Sequence, residues 1–279
     1  MRIERTGTVI LLTILLTGAA FMGYADETAE KARAVLEANR DAVITIQAVI
    51  GMSFGGNENE TEQESNATVI DPTGLSVLAL TAVDPSAMFA NMGEMASEMV
   101  TKVNSLKMLI PDGADVKEVE AEIVLRDKDL DLAYVRPKEK PAEEMAYVDL
   151  AKSGAPQLLD EVVVIGQLGK VARRAHTAFV ERIEAVVEKP RTFYIPGEHR
   201  ARAIMCSPVF TMDGEVVGVG VMRAIMAGGG GGGMGDNMMV IIVPAEDIAD
   251  QVQQVPAFGE TPAGDTAASE KEPTAEEGP

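Results

Sequence analysis

From residue 42 to residue 243 the apolar residues fall mainly in short β-branched runs broken by turn signals, while the flanks carry a helical period. Residues 42–54 form the first such run and predict a strand. Residues 55–66, with Glu58, Glu60, Glu62 and Glu64, read as a polar hairpin loop, and residues 68–70 resume the strand. Asp71-Pro72-Thr73-Gly74 is a strong turn, followed by a strand over 75–80. Further strands are expected at 106–110, 116–125 and 132–135, with Pro111-Asp112-Gly113 turning the chain between the first two. After a polar link over 136–144, strands are expected at 161–165, 175–187, 192–195, 203–209, 215–222 and 238–243.

Three segments break the strand pattern. In 26–40, Ala29, Ala32, Val35, Leu36 and Ala38 recur at helical spacing. In 85–107, Met88, Met92, Met95 and Met99 do the same and predict an amphipathic helix whose flexible thioethers fill a core or meet a peptide. A closing helix over 245–255 places Ile248 and Val252 on one face. Many short strands with helices at the edges indicate an all-β, barrel-type architecture.

Composition changes this picture at the ends. Arg2 and Arg5, an apolar run over 9–16 and small residues before Gly23-Tyr24-Ala25 have the order of a secretory signal, so residues 1–25 are expected to direct export. The periplasm or the exterior is then the expected location, with an uncleaved anchor as the alternative. Residues 256–279 are rich in Pro, Gly, Ala, Thr and Glu, and are expected to form a disordered acidic tail. The formal charge of −20 argues against nucleic acid, which requires a basic stripe. Cys206 is the only cysteine, so no intrachain disulfide can form.

The order of the central elements resembles the trypsin-like serine proteases of the Deg/high-temperature-requirement family. Residues 69–83 (Val-Ile-Asp-Pro-Thr-Gly-Leu-Ser-Val-Leu-Ala-Leu-Thr-Ala-Val) are similar to the strand-turn-strand that leads to that family's Thr-Asn-x-His-Val. Residues 116–135 resemble the region ending in its Asp-Leu-Ala, here Asp131-Leu132-Ala133. Residues 160–169 resemble its Gly-Asp-x-Val-x-Ala-Ile-Gly-x-Pro, residues 208–219 its Pro-Leu-Val-Asn-x-x-Gly-Glu-Val-Val-Gly-Ile, and residues 238–244 its closing strand. The resemblance implies two six-stranded antiparallel β-barrels, over residues 41–142 and 143–255.

It also implies a damaged triad. The reaction needs a hydroxyl nucleophile, an imidazole base, an orienting carboxylate and backbone donors for the oxyanion. The match puts Ala82 at the histidine, Asp131 at the aspartate and Met205 at the serine. Cys206 and Ser207 then stand at two glycines, and Ala203 at the glycine of the oxyanion loop. Loss of such groups typically costs on the order of 10⁴–10⁶ in rate. The expectation is therefore a non-catalytic polypeptide-binding or scaffold protein, with no cofactor and no metal. The alternative is an active endopeptidase using Ser207 or Cys206, with His176 or His199 as base.

Other patterns carry less. The glycine run at 228–233 lacks the Lys-Ser/Thr of a phosphate loop and sits where the family has a connecting loop. The glutamates of 58–64 lack the ligand order of a calcium loop. Asn59-Glu60-Thr61 and Asn66-Ala67-Thr68 are glycosylation sequons in a host that can use them.

Overall fold

A computed structural model describes residues 27–54, 57–86, 99–112, 115–197, 201–224 and 238–260. The signal segment, Met88, Met92, Met95, His199, the glycine run and the tail beyond 260 lie outside these residues.

Two closed six-stranded antiparallel barrels make up the fold. The first contains β1 (Val43–Phe54), β2 (Asn57–Val69), β3 (Ser76–Ala79), β4 (Met99–Asp112), β5 (Asp115–Asp127) and β6 (Leu132–Pro137), hydrogen-bonded in the order β1-β2-β3-β6-β5-β4. The second contains β7 (Glu161–Gln167), β8 (His176–Val187), β9 (Phe193–Pro196), β10 (Pro208–Thr211), β11 (Val216–Ala224) and β12 (Met238–Pro244). Its order is β10-β11-β12-β9-β8-β7. Closure is completed by short ladders: β2 meets β3 only at Thr68 and Val69, and β10 meets β11 only as far as Val219. Helix α1 (27–39) lays Val35 against the second barrel's core, beside Val163 and Phe210. Helices α2 (Ala201–Ile204) and α3 (Ala245–Val252) are short.

The core follows from period-two burial. Ile44, Ile46, Ala48 and Ile50 of β1 are buried with Val77, Leu78, Leu132 and Val135, and the cluster continues into Val219, Val221, Ile241 and Val243 of the second barrel. One apolar body thus spans the junction between the barrels. The buried Tyr134 hydroxyl donates to the Ile248 carbonyl at 3.1 Å and ties α3 to the first barrel. The turn at Asp71 forms as expected: its Oδ1 accepts from Thr73 N at 2.7 Å and Leu75 N at 3.1 Å, and Gly74 adopts φ 89°.

Four local expectations are corrected. Residues 57–66 are strand, not loop: β2 pairs with β1 continuously from Phe54↔Asn57 to Val43↔Thr68. The alternate glutamates were a strand signal, since Glu60, Glu62 and Glu64 take up bonds from Asn104, Gln47 and Arg174. Residues 99–107 belong to β4 rather than to a methionine helix, because Phe54↔Met99 begins a ladder with β1. The expected strand over 203–209 divides into α2, a bridge at Met205 and β10.

The fourth correction concerns the tail, whose first residues are held. Arg136 is only 4% exposed. Its Nε donates to Glu122 at 3.0 Å, and Nη1 donates to the carbonyls of Pro256 and Ala257 at 3.0 and 3.1 Å. The Phe258 ring lies 4.8 Å from the guanidinium carbon. Arg136→Ala is expected to cost about 2 kcal/mol, the scale of a buried charge-assisted cluster. Hydrogen exchange should show the Glu260 amide, now bonded to the Ala257 carbonyl, losing its protection.

Candidate functional site

The junction of the barrels is organised around Asp131. This residue closes the β5–β6 turn with φ 56°, a left-handed conformation that aspartate tolerates better than most side chains. Its carbonyl accepts from Leu80 N at 2.8 Å. Its carboxylate accepts from the Thr81 amide at 2.9 Å and the Thr81 hydroxyl at 3.0 Å. The backbone of Met222, on β11 of the other barrel, also favours the ionised form. Burial outweighs these donors and pushes the carboxyl up to about 6.

Ala82 follows Thr81 on a 3-10 turn (Leu80–Ala82) and is 2% exposed. Its carbonyl accepts from Gln63 Nε2. A methyl group, rather than an ionisable ring, therefore sits one residue from the donor that anchors Asp131.

The 203–207 segment approaches from the second barrel. Met205 bridges to Gly220 of β11. Cys206 N donates to the Gly220 carbonyl at 2.8 Å, and Gly220 N donates to the Ser207 carbonyl at 3.1 Å. This contact requires glycine: a Cβ on Gly220 would lie 2.2 Å from the Ile204 carbonyl oxygen. Cys206 takes φ 63° and is 1% exposed, with burial pushing its thiol up to about 12. The Ala79 backbone lowers that value and the charge of Asp131 raises it, so thiol and carboxylate share one neighbourhood. Ser207 is 0% exposed. Its hydroxyl donates to the Ala203 carbonyl at 3.2 Å and accepts from Asn66 Nδ2 at 3.1 Å.

Beside this segment lies a cleft of about 170 Å³, lined by Thr45, Asn66, Gln167, Met205 and Cys206 among others. Polar contacts across its floor join the barrels. Thr45 Oγ1 donates to Gln167 Oε1 at 2.9 Å, and Gln167 Nε2 donates to the Val43 carbonyl at 3.0 Å. Gln167 N donates to Asn66 Oδ1 at 3.2 Å. Arg174 grips Glu64 with two 2.7 Å bonds, which raises the guanidinium and lowers the carboxyl. Sequence reading missed Thr45, Gln167 and Arg174 and took Asn66 only as a sequon. Both polar ends of that side chain are now engaged in the seam. Only the polar residues at the ends of apolar runs hinted at this network.

His176 pairs with Gln167 at the other side of the floor. It does not stand beside Asp131 in any contact of the described residues. Among the described residues no cluster of His, Cys, Asp or Glu is arranged to hold a metal ion.

The signature of the trypsin-like peptidase domain matches residues 34–219, most of both barrels. The chain belongs to this family. The trypsin-like domain is also similar in structure to the MamO protease domain from Magnetospirillum magneticum in its apo form. That match has a TM-score of 0.51 and 14% identity, covering 77% of this chain and 97% of that one. At this identity the likeness shows the fold. No curated protein matches the chain. Within the trypsin-like domain, Ala82 and Asp131 meet through Thr81, and Asp131 reaches the second barrel through Met222. Met205 and Cys206 line the cleft beside them.

Proposed function

We propose that this trypsin-like domain is a degenerate relative of the Deg/high-temperature-requirement proteases, exported to the periplasm or beyond, that binds extended polypeptide without cleaving it. The observation that carries the reading is the chemistry around Asp131: its carboxylate is present, but Ala82 and Met205 supply neither a proton acceptor nor a nucleophile. The geometry gives the alternative nucleophiles no support. The Cys206 thiol is buried and held far from ionisation, and the Ser207 hydroxyl is sequestered between Asn66 and Ala203, with no imidazole bonded to it among the described residues.

Binding needs only a strand edge and side-chain pockets. Gly220 turns its N–H and C=O toward the 206–207 segment, so by strand alternation Met222 and Ala224 face the same way. Among the described residues no strand pairs with that edge beyond Gly220. The Met222 N–H on that edge is already taken by the Asp131 carboxylate, so an extended peptide laid there would pair through the Met222 carbonyl and Ala224, past Asp131 and the cleft, as an added strand.

Titration of the full chain with extended peptides, read by fluorescence anisotropy, tests this. Micromolar binding is expected, weakened at least tenfold when alternate backbone nitrogens of the peptide are methylated. No binding at high micromolar concentration, or indifference to methylation, would remove the strand-addition reading.

A further inference from the structure

The floor of the cleft contains an arrangement that the polypeptide-binding reading does not use. Gln167, at the end of β7, is bonded through all its side-chain polar groups. Its Oε1 accepts from Thr45, and its Nε2 faces both the Val43 carbonyl and His176 Nε2, the latter at 3.0 Å. The Val43 carbonyl fixes which way the amide points, because a flipped amide would set two oxygens against each other at that distance. An amide nitrogen cannot accept a hydrogen bond. His176 Nε2 must therefore be the acceptor, which places the imidazole in its neutral form with the proton on Nδ1.

A proton added at Nε2 would meet the amide N–H head on. Gln167 could then bond the imidazolium only by turning its oxygen toward it, which abandons the Val43 carbonyl and reverses the Thr45 bond. Both of those bonds run from β7 to β1 and so join the two barrels. We propose that His176 is a proton-operated latch on the seam: the neutral ring holds Gln167 across to β1, and protonation releases that tie and reshapes the cleft floor.

The charged surroundings do not reverse this sense. Burial comes first among the influences on His176 and lowers its pKa. From the α1 side, Asp41 and Glu37 raise it and Arg40 lowers it. Arg40 is itself paired with Glu37 at 3.1 Å. Arg174, on the turn before β8, is held by Glu64, and the facing residues of β7 and β1, Gln167, Val43 and Thr45, carry no charge. With the folded value lowered, neutral His176 supports the fold above the ordinary imidazole range, and that support is lost as pH falls through it.

Long-range nitrogen–proton NMR of the imidazoles in the intact chain tests the latch directly. There are only two histidines, so a His199→Gln variant assigns the spectrum. The expected result is an Nδ1–H tautomer for His176 and a titration midpoint below about 6.5. The backbone shifts of Val43, Thr45 and Gln167 should move with that midpoint. Gln167→Glu, which places an acceptor opposite Nε2, should carry the midpoint above about 6.5. An Nε2–H tautomer, seam amides that ignore the titration, or a Gln167→Glu protein with an unchanged midpoint would each overturn the proposal. Should that variant not fold, the wild-type tautomer and co-titration decide alone.

Discussion

Gly220→Ala is expected to destabilise the domain by about 3 kcal/mol or more, lowering its melting temperature by roughly 6–12 °C for a body of this size. The new Cβ would lie 2.2 Å from the Ile204 carbonyl oxygen and 2.7 Å from its side chain. The carbonyl belongs to the backbone, so no rotamer change relieves the overlap. Either β11 or the 203–207 segment must move, and the bonds Cys206 N to Gly220 O and Gly220 N to Ser207 O break together. The damage should extend to the site. Ser207 would lose its fixed position against Asn66, and amide exchange should rise at Cys206 before it rises in β12. A melting temperature within a degree or two of wild type would show that Gly220 is not the close contact described.

Asp131→Asn should act in the opposite direction. The folded carboxyl is raised from 3.8 to about 6. Such a group supports the fold fully below its unfolded value, and that support disappears as pH rises through the folded value. Above pH 6 the ionised carboxylate therefore costs up to about 3 kcal/mol relative to a neutral group, at 1.36 kcal/mol per pKa unit. Asparagine keeps the shape, accepts the left-handed backbone, and can bond both the amide and the hydroxyl of Thr81. The variant should melt on the order of 5 °C higher than wild type at pH 8, with the advantage gone near pH 3.5. In an active trypsin-like enzyme the same exchange strikes at the reaction. Here it should improve stability and leave turnover where it was. A lower melting temperature at pH 8 would mean that Thr81 and Met222 already compensate the charge.

These two residues show unequal legibility. Asp131 could be found from the sequence because it sits in a short motif, Asp131-Leu132-Ala133, at the mouth of an apolar strand. Gly220 could not, because its role depends on Ile204, and sixteen residues and a reversal of the chain separate the two. The same division runs through the fold. β7 was readable because Val162, Val163, Val164 and Ile165 are all buried, and a strand covered on both faces is a continuous apolar run. β2 was misread because glutamate is a poor strand former. Its pairing with β1 overrides that preference, and its charges find partners on neighbouring strands and across the cleft. The seam of Thr45, Asn66, Gln167 and Ser207 was hidden for a different reason. Its members lie 101 to 141 residues apart in the Thr45–Gln167, Asn66–Gln167 and Asn66–Ser207 bonds, and no local pattern reports a contact of that range. Arg136 read as the start of a polar link because its partners, the carbonyls of 256–260, have no side-chain signature.

The reading of a protease frame without protease chemistry rests on Ala82 and Met205 standing where a base and a nucleophile are needed, with no other usable base or nucleophile around Asp131 among the described residues. Prolonged incubation of the full chain with an unfolded protein and a mixed peptide pool, followed by mass spectrometry of every new terminus, tests it most directly. The expected cleavage pattern is indistinguishable from buffer alone and unchanged by Cys206→Ala and Ser207→Ala. New termini that disappear with either substitution would contradict it, and would make that residue the nucleophile of a working endopeptidase.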